Sequence, residues 1–203
     1  MTQTSDRIPA VVPANDVPGP RQGLWTYDDY AAIPDDGNRY EIFDGVLYMS
    51  PSPSWSHQEI VFEIASHLRN YFRATGRGGV FVSPLDVELA PDTNLQPDVV
   101  VLLKESGGKL HKHHIVGAPD LAIEVVSPNS QTHDRFRKII AYAGAGIPEY
   151  WIVDPYSRTV EVLQLERGEY QSQGIFRGKA ILPSLIVPGF TVHVEEFFVS
   201  AWK

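Results

Sequence analysis

The sequence predicts an α/β (α+β) fold, a mixed central β-sheet flanked by helices. Three observations predict it. Val99–Leu102 and Leu121–Val126 are short, near-continuous apolar runs, the pattern of central strands covered on both faces. Two other segments carry apolar residues at helical spacing. The elements follow one another in the order β-β-α-β-β-β-α-β-β, which suits one mixed sheet with helices against it.

The first 23 residues, rich in proline and polar side chains, read as a flexible tail, and residues 24–203 as one domain. The tail lacks the continuous apolar stretch of a signal peptide. "YDDYAAIP" (Tyr27–Pro34) reads as a short helix closed by Pro34. In "RYEIFDGVLYMS", Tyr40–Phe43 and Val46–Ser50 are strand-like, and Asp44-Gly45 suits a type I′ turn. "SHQEIVFEIASHLRNYFRATG" is a helix with a Ser56/Glu59 capping box. Ile60, Ile64, Leu68 and Tyr71 or Phe72 mark its buried face, and Gly76 ends it. "GVFVSPLDVEL", "PDVVVLL" and "LAIEVVS" are strands. A second helix runs from about Gln131 to Ala143 and stops at Gly144. "EYWIVDP" and "TVEVLQLE" are strands joined by a turn, and "LIVPGFTVHVEEFF" packs back on the core as a strand or loop.

Composition excludes several classes of function. There are no cysteines among the 203 residues, hence no disulfides and no thiolate zinc or iron–sulfur site. No apolar run reaches the roughly 18–20 residues that cross a bilayer. A soluble, cytoplasmic protein with no membrane partner is expected. The formal net charge of −8 argues against a coat protein for nucleic acid, though not against an enzyme with a local basic groove.

The chemistry concentrates on a few acids. Glu124 lies inside an apolar strand, where an ionised carboxylate requires compensation. Asp98 opens the neighbouring strand after Pro97. Two acids on adjacent central strands repel unless one is protonated or a cation joins them. Carboxylates with water and a backbone carbonyl make a hard-oxygen site for Mg²⁺ or Mn²⁺ rather than zinc. Glu41, before the Asp44-Gly45 turn, is the candidate third ligand. Lys138, on the helix after the Glu124 strand, is placed to orient a water or stabilise a phosphate, a set that suits metal-assisted phosphodiester hydrolysis.

These segments resemble one family. Asp98 after proline, Glu124 in its apolar strand, and "RYEIFDG", "PSPSWSHQEI" and "KIIAYAGAGIPEYWIVDP" are similar to the bacterial putative restriction endonucleases, a family expanded in cyanobacteria with a PD-(D/E)XK-type nuclease core. The resemblance spans roughly Trp25 to Pro155, with a weaker echo in "VPGFTVHVEEFF". It implies a metal-dependent nuclease acting on DNA, with Asp98 as the acid of the PD element and Glu124 as the second strand acid. A duplex-cutting enzyme of this kind implies a homodimer. The superfamily pattern places lysine two residues after the second acid, where this chain has Val126. The resembling family carries its lysine on the next helix in a K-x-x-x-Y setting, which Lys138 and Tyr142 match. On a helical wheel Phe136, Ile139, Ile140 and Ala143 form the apolar stripe, and Lys138 falls nearly opposite with Asp134 and Tyr142. Either both helix faces are used, or Lys138 is a solvated lysine paired with Asp134.

The other polar residues carry weaker expectations. His57, in the first turn of the first helix, is an accessory candidate. Asp86 and Glu88 share a face that reads as solvated. Thr93-Asn94 reads as a turn, which sets Pro91-Asp92 aside as a motif. "KESGGKLHKHHIVG" gathers lysines and histidines that could meet phosphates, without the i,i+4 histidine pair of a zinc site. Two further functions stay open beside a DNA nuclease. One is a non-catalytic nucleic-acid-binding or regulatory module on a nuclease fold. The other is a nuclease for RNA or small phosphodiesters.

Overall fold

The computed structural model describes residues 11–126 and 133–199, without the side chains of residues 133–135. Its elements, in chain order, are β1 (Val12–Pro13), α1 (Tyr27–Ala31), β2 (Arg39–Phe43), β3 (Val46–Ser50), α2 (Trp55–Thr75), β4 (Gly78–Val82), β5 (Asp86–Ala90), β6 (Thr93–Leu95), β7 (Val99–Leu103), β8 (His114–Val116), β9 (Leu121–Val125), α3 (His133–Ala145), β10 (Glu149–Asp154), β11 (Thr159–Glu166) and β12 (Glu169–Arg177). Short 3₁₀ turns cover Lys104–Lys109 and Val194–Phe198. No helix among the described residues is long and apolar enough to cross a membrane.

Among the described residues the strands divide between two mixed, six-stranded sheets. One has the order β1-β3-β2-β6-β5-β8, the other β12-β11-β10-β9-β7-β4. The second sheet holds the apolar runs. β9 pairs parallel with β10 and antiparallel with β7, so it is a central strand, and all five of its residues are buried. Leu121, Ile123 and Val125 join α2 residues Ile60, Ile64 and Leu68 in the larger core. Ala122 points the other way, into a core with Tyr142 of α3 and Leu95 of the first sheet. Val100 and Leu102 of β7 meet Val87 and Ile115 of the first sheet. The layers are therefore α2, then the second sheet, then α3 beside the first sheet.

Local sequence explains most boundaries. The Asp44-Gly45 turn has φ of 49° and 70°, the two left-handed positions that a type I′ hairpin requires. Thr26 caps α1 through a capping box with Asp29. Ser54, not Ser56, caps α2 by accepting from the His57 N–H, which puts His57 in the first turn with its side chain turned inward. Gly76, at φ 63°, closes α2. α3 runs one turn fraction further than expected, to Ala145, and Gly146 at φ 83° closes it instead of Gly144. The expected start near Gln131 lies outside the described residues.

Several expectations change. "GVFVSPLDVEL" is two strands in different sheets, because Pro84 has no N–H to continue a ladder. Thr93-Asn94 is strand β6, and the turn lies at Pro91-Asp92. β12 pairs with β11 although it alternates polar and apolar residues too weakly to read as a strand. Within the expected tail, Val12–Pro13 pairs with Met49 and Tyr48 of β3.

Candidate functional site

Strand register brings the two principal acids together. In the antiparallel pair β7–β9, Val99 faces Ile123. One step further along the same register, Asp98 faces Glu124. Because opposite residues share a face, both carboxylates turn towards α3 and the first sheet. Both are buried, at 6% and 7% exposure. Asp98 Oδ2 accepts the Val125 N–H at 2.8 Å, so the backbone of one acidic strand fixes the side chain of the other.

Glu124 is then met from the helix. Lys138 Nζ donates to its Oε1 at 2.9 Å, and the Tyr142 hydroxyl donates to the same oxygen at 2.6 Å. Lys138 is 8% exposed and Tyr142 fully buried. The solvated-lysine alternative is thereby excluded, and Asp134's side chain lies outside the described residues. The i,i+4 spacing of Lys138 and Tyr142 puts both on one helix face, and that polar face is the one that packs inward. Phe136 and Ile140, from the expected apolar stripe, are 63% and 65% exposed. A buried carboxylate outweighs two apolar side chains in setting the helix rotation, because an uncompensated charge costs several kcal/mol.

Glu41 closes the group from β2. Its Oε1 accepts the Gln96 N–H at 2.8 Å and lies 3.6 Å from Lys138 Nζ, and its Oε2 accepts from the Ser50 hydroxyl at 3.4 Å. His57 approaches Asp98 from α2, with Nε2 3.0 Å from Oδ2, while its buried Nδ1 has no hydrogen-bond partner among the described residues. All six singled-out residues, Asp98, Glu124, Lys138, Glu41, His57 and Tyr142, therefore meet in one place. Gln96 was not foreseen. It precedes Pro97-Asp98, and a polar side chain beside that motif was its only signal. Its backbone holds Glu41, while its side chain donates to Asp86 at 2.9 Å.

The electrostatics follow from burial. The Glu124 carboxyl is raised on balance to about 8, with desolvation the largest cause. Lys138 pulls it down, the neighbouring Asp98 and Glu41 carboxylates push it further up, and the Tyr142 hydrogen bond pulls it down. One ammonium does not offset three clustered acids in a dry setting. Burial, followed by the Glu124 charge, raises the Tyr142 hydroxyl well above its ordinary value, so it stays a donor.

Several of the remaining polar residues have structural partners. Asp86 is half-buried rather than freely solvated. Its Oδ1 accepts from Tyr30, Asn94 and Gln96. Glu88 pairs with His114 at 3.2 Å. Lys109 of the basic loop donates to the Ala118 carbonyl at 2.6 Å. Among the described residues, no three or more histidine or acidic side chains stand at metal-ligand spacing.

Comparison with known proteins agrees with this frame. No curated protein matches the chain. A crystal structure from Anabaena variabilis ATCC 29413, described as a putative nuclease belonging to DUF820, superposes with a TM-score of 0.70 at 22% identity. The match covers 86% of this chain and 97% of that one, and it shows a shared fold. The family model described as Uma2, putative restriction endonuclease, matches residues 27–195, and the chain belongs to that family.

Proposed function

We propose that the chain is a Mg²⁺- or Mn²⁺-dependent endonuclease that hydrolyses DNA phosphodiester bonds where β7 begins and β9 ends. The observation that supports this best is the crowding around Glu124. Three acids from three strands share one dry corner with a single described lysine among them. Structural acids are normally satisfied pairwise, and a surplus of negative charge held apart from water is what a cation site supplies.

The donors fit a hard divalent cation. Glu124 Oε2 and Asp98 Oδ1 accept no hydrogen bond from the described residues, whereas both oxygens of Glu41 are engaged. Asp98 and Glu124 would hold the ion, with Glu41 assisting from the edge. When bound there, a divalent ion supplies Lewis acidity towards a phosphate oxygen and acidifies water.

The protein's own side chains divide the remaining work. His57 and the Val125 N–H orient Asp98. Tyr142 holds one Glu124 oxygen and leaves the other to a ligand. Lys138 brings a positive charge to the Glu124 carboxylate from the helix rather than from the strand position that Val126 occupies. From there its ammonium can pass to a phosphate oxygen or orient the attacking water. A duplex cut needs one site per strand, so we propose a homodimer.

The test is cleavage of plasmid and single-stranded DNA, with RNA as competitor, in Mn²⁺ and in Mg²⁺. Wild type is compared with Glu124→Gln. Metal-dependent cutting that is lost in the variant is the expected result. A wild type that neither cuts nor melts at higher temperature with metal would return Glu124 to a structural role and favour the binding module.

A further inference from the structure

An acidic site in a chain of net charge −8 has a difficulty with its substrate. Nucleic acid is a polyanion, and its phosphates must approach Asp98, Glu124 and Glu41. Lys138 does little to attract them, because its charge is already spent on Glu124 and Glu41. Another cation beside the site is needed, one not committed to a carboxylate.

Arg137 meets that description. It precedes Lys138 on α3 and borders the same recess as Glu41, Tyr48 and Lys138. Its guanidinium carbon sits 4.5 Å from the centre of the Tyr48 ring. No carboxylate among the described residues pairs with it. The hairpin register explains the Tyr48 platform. Tyr48 of β3 lies directly opposite Glu41 of β2, so the two side chains share one sheet face. Asp44-Gly45 fixes that register, and a slip of one residue would turn both away. Stacking on an aromatic ring uses the face of a guanidinium and leaves its N–H edge for other partners.

We infer that Arg137, held on Tyr48, is a phosphate-binding residue for the DNA strand that enters the Asp98–Glu124 site. The inference rests on the nuclease reading above. The planar fork of arginine matches two oxygens of one phosphate, and stacking has already reduced its rotamer freedom before the strand arrives. Arg137 therefore acts in binding, next to the acids and not in place of them.

The test measures binding of a short labelled duplex in EDTA, so that nothing is cut, across a range of salt concentrations. Wild type, Arg137→Gln and Arg137→Lys are compared. Arg137→Gln is expected to bind roughly tenfold more weakly at about 0.1 M salt, and its salt slope is expected to fall by about one, the loss of one phosphate contact. Arg137→Lys is expected to recover the slope but not the full affinity, since lysine lacks the fork. The rise in melting temperature on adding Mn²⁺ should be the same in all three proteins. An unchanged slope in Arg137→Gln would overturn the assignment and leave Arg137 as packing for Tyr48. Loss of the Mn²⁺ effect along with DNA binding would overturn it too, by showing that the substitution disturbs the acids. A wild type that binds no duplex and gains nothing from Mn²⁺ would overturn the nuclease reading itself, an outcome visible without either variant.

Discussion

Two buried glutamates on neighbouring strands meet opposite fates. Glu149 opens β10 and is fully buried, and Glu124 lies near the end of β9 at 7% exposure. Glu149 is surrounded by neutral donors. It accepts from Trp151 Nε1 at 2.8 Å, the Ser184 hydroxyl at 2.5 Å, the Leu185 N–H at 2.7 Å and Gln164 Nε2 at 3.4 Å. Both of its oxygens are used, and they tie the C-terminal segment to the sheet. Glu124 receives a cation and a phenol on one oxygen, faces two further acids, and among the described residues its other oxygen accepts nothing. Burial alone does not mark a functional acid. The marks are like-charged neighbours and an unused oxygen.

Exchanging each acid for its amide should separate the two roles. Glu124→Gln is expected to lower metal-dependent cleavage by roughly a thousandfold or more, the scale on which a central catalytic group acts. Its melting temperature without metal, read above about pH 8 where Glu124 is ionised, should hold or rise, because one of three crowded charges has gone. Cleavage assays beside thermal melts read both quantities. Cleavage within tenfold of wild type would remove Glu124 from the chemistry.

Lys138→Met breaks the pair without touching the acids. An unpaired buried carboxylate costs about 3 kcal/mol where it is ionised, above about pH 8. The cost should shrink near pH 5, where Glu124 takes up a proton and no longer needs a partner. Urea titrations at the two pH values measure the difference. An equal loss at both would mean that Lys138 contributes packing and not charge.

Glu149→Gln should do the reverse of Glu124→Gln. The amide presents one acceptor where the carboxylate served several donors, and stranding one of them costs about 2 kcal/mol. Cleavage per folded molecule should match wild type. A loss of cleavage without a loss of stability would break the contrast between the two acids.

The same contrast explains what could be read from sequence. Glu124 was legible because charge inside Leu121–Val126 has no innocent explanation on a strand covered on both faces. Glu149 was not, since an acid at a strand start after Pro148 looks the same whether solvated or buried. The hairpin and α2 were legible because their turn, cap and stripe agree with one another. The rotation of α3 was not. Phe136 and Ile140 of its expected apolar stripe point outward, while Ile139 packs on the core, because Glu124, distant in sequence, claims Lys138 and Tyr142. The strands of "GVFVSPLDVEL" parted at Pro84, but no local signal says that they belong to different sheets.

The raised Glu124 carboxyl also gives the metal-free protein a pH dependence. Its ordinary value is 4.5 and its folded value about 8. Between these the folded state holds the proton more often than the unfolded one. Stability from this group is therefore full below the lower value and falls as pH rises through the window, by at most about 1.4 kcal/mol per unit. Glu124→Gln should flatten that slope, whereas Glu149→Gln should leave it. Denaturation midpoints at several pH values read it directly, and a slope of the same size in Glu124→Gln would assign it elsewhere.

The smallest expected effect belongs to Tyr142→Phe. It removes one hydroxyl, the 2.6 Å donor to Glu124 Oε1, and keeps the ring packed against Tyr150. Lys138 still reaches that oxygen, so the acid is not stranded, and the stability cost should be about 1 kcal/mol. The hydroxyl also fixes the rotation of the carboxylate. Without it the open oxygen is less well aimed, and Mn²⁺ affinity should fall by about tenfold, as when an outer partner of a metal ligand is lost. A metal titration followed by melting temperature gives both numbers. A stability loss with unchanged Mn²⁺ affinity would make Tyr142 a structural partner of the kind that surrounds Glu149, and the two acids would then differ only in the charges beside them.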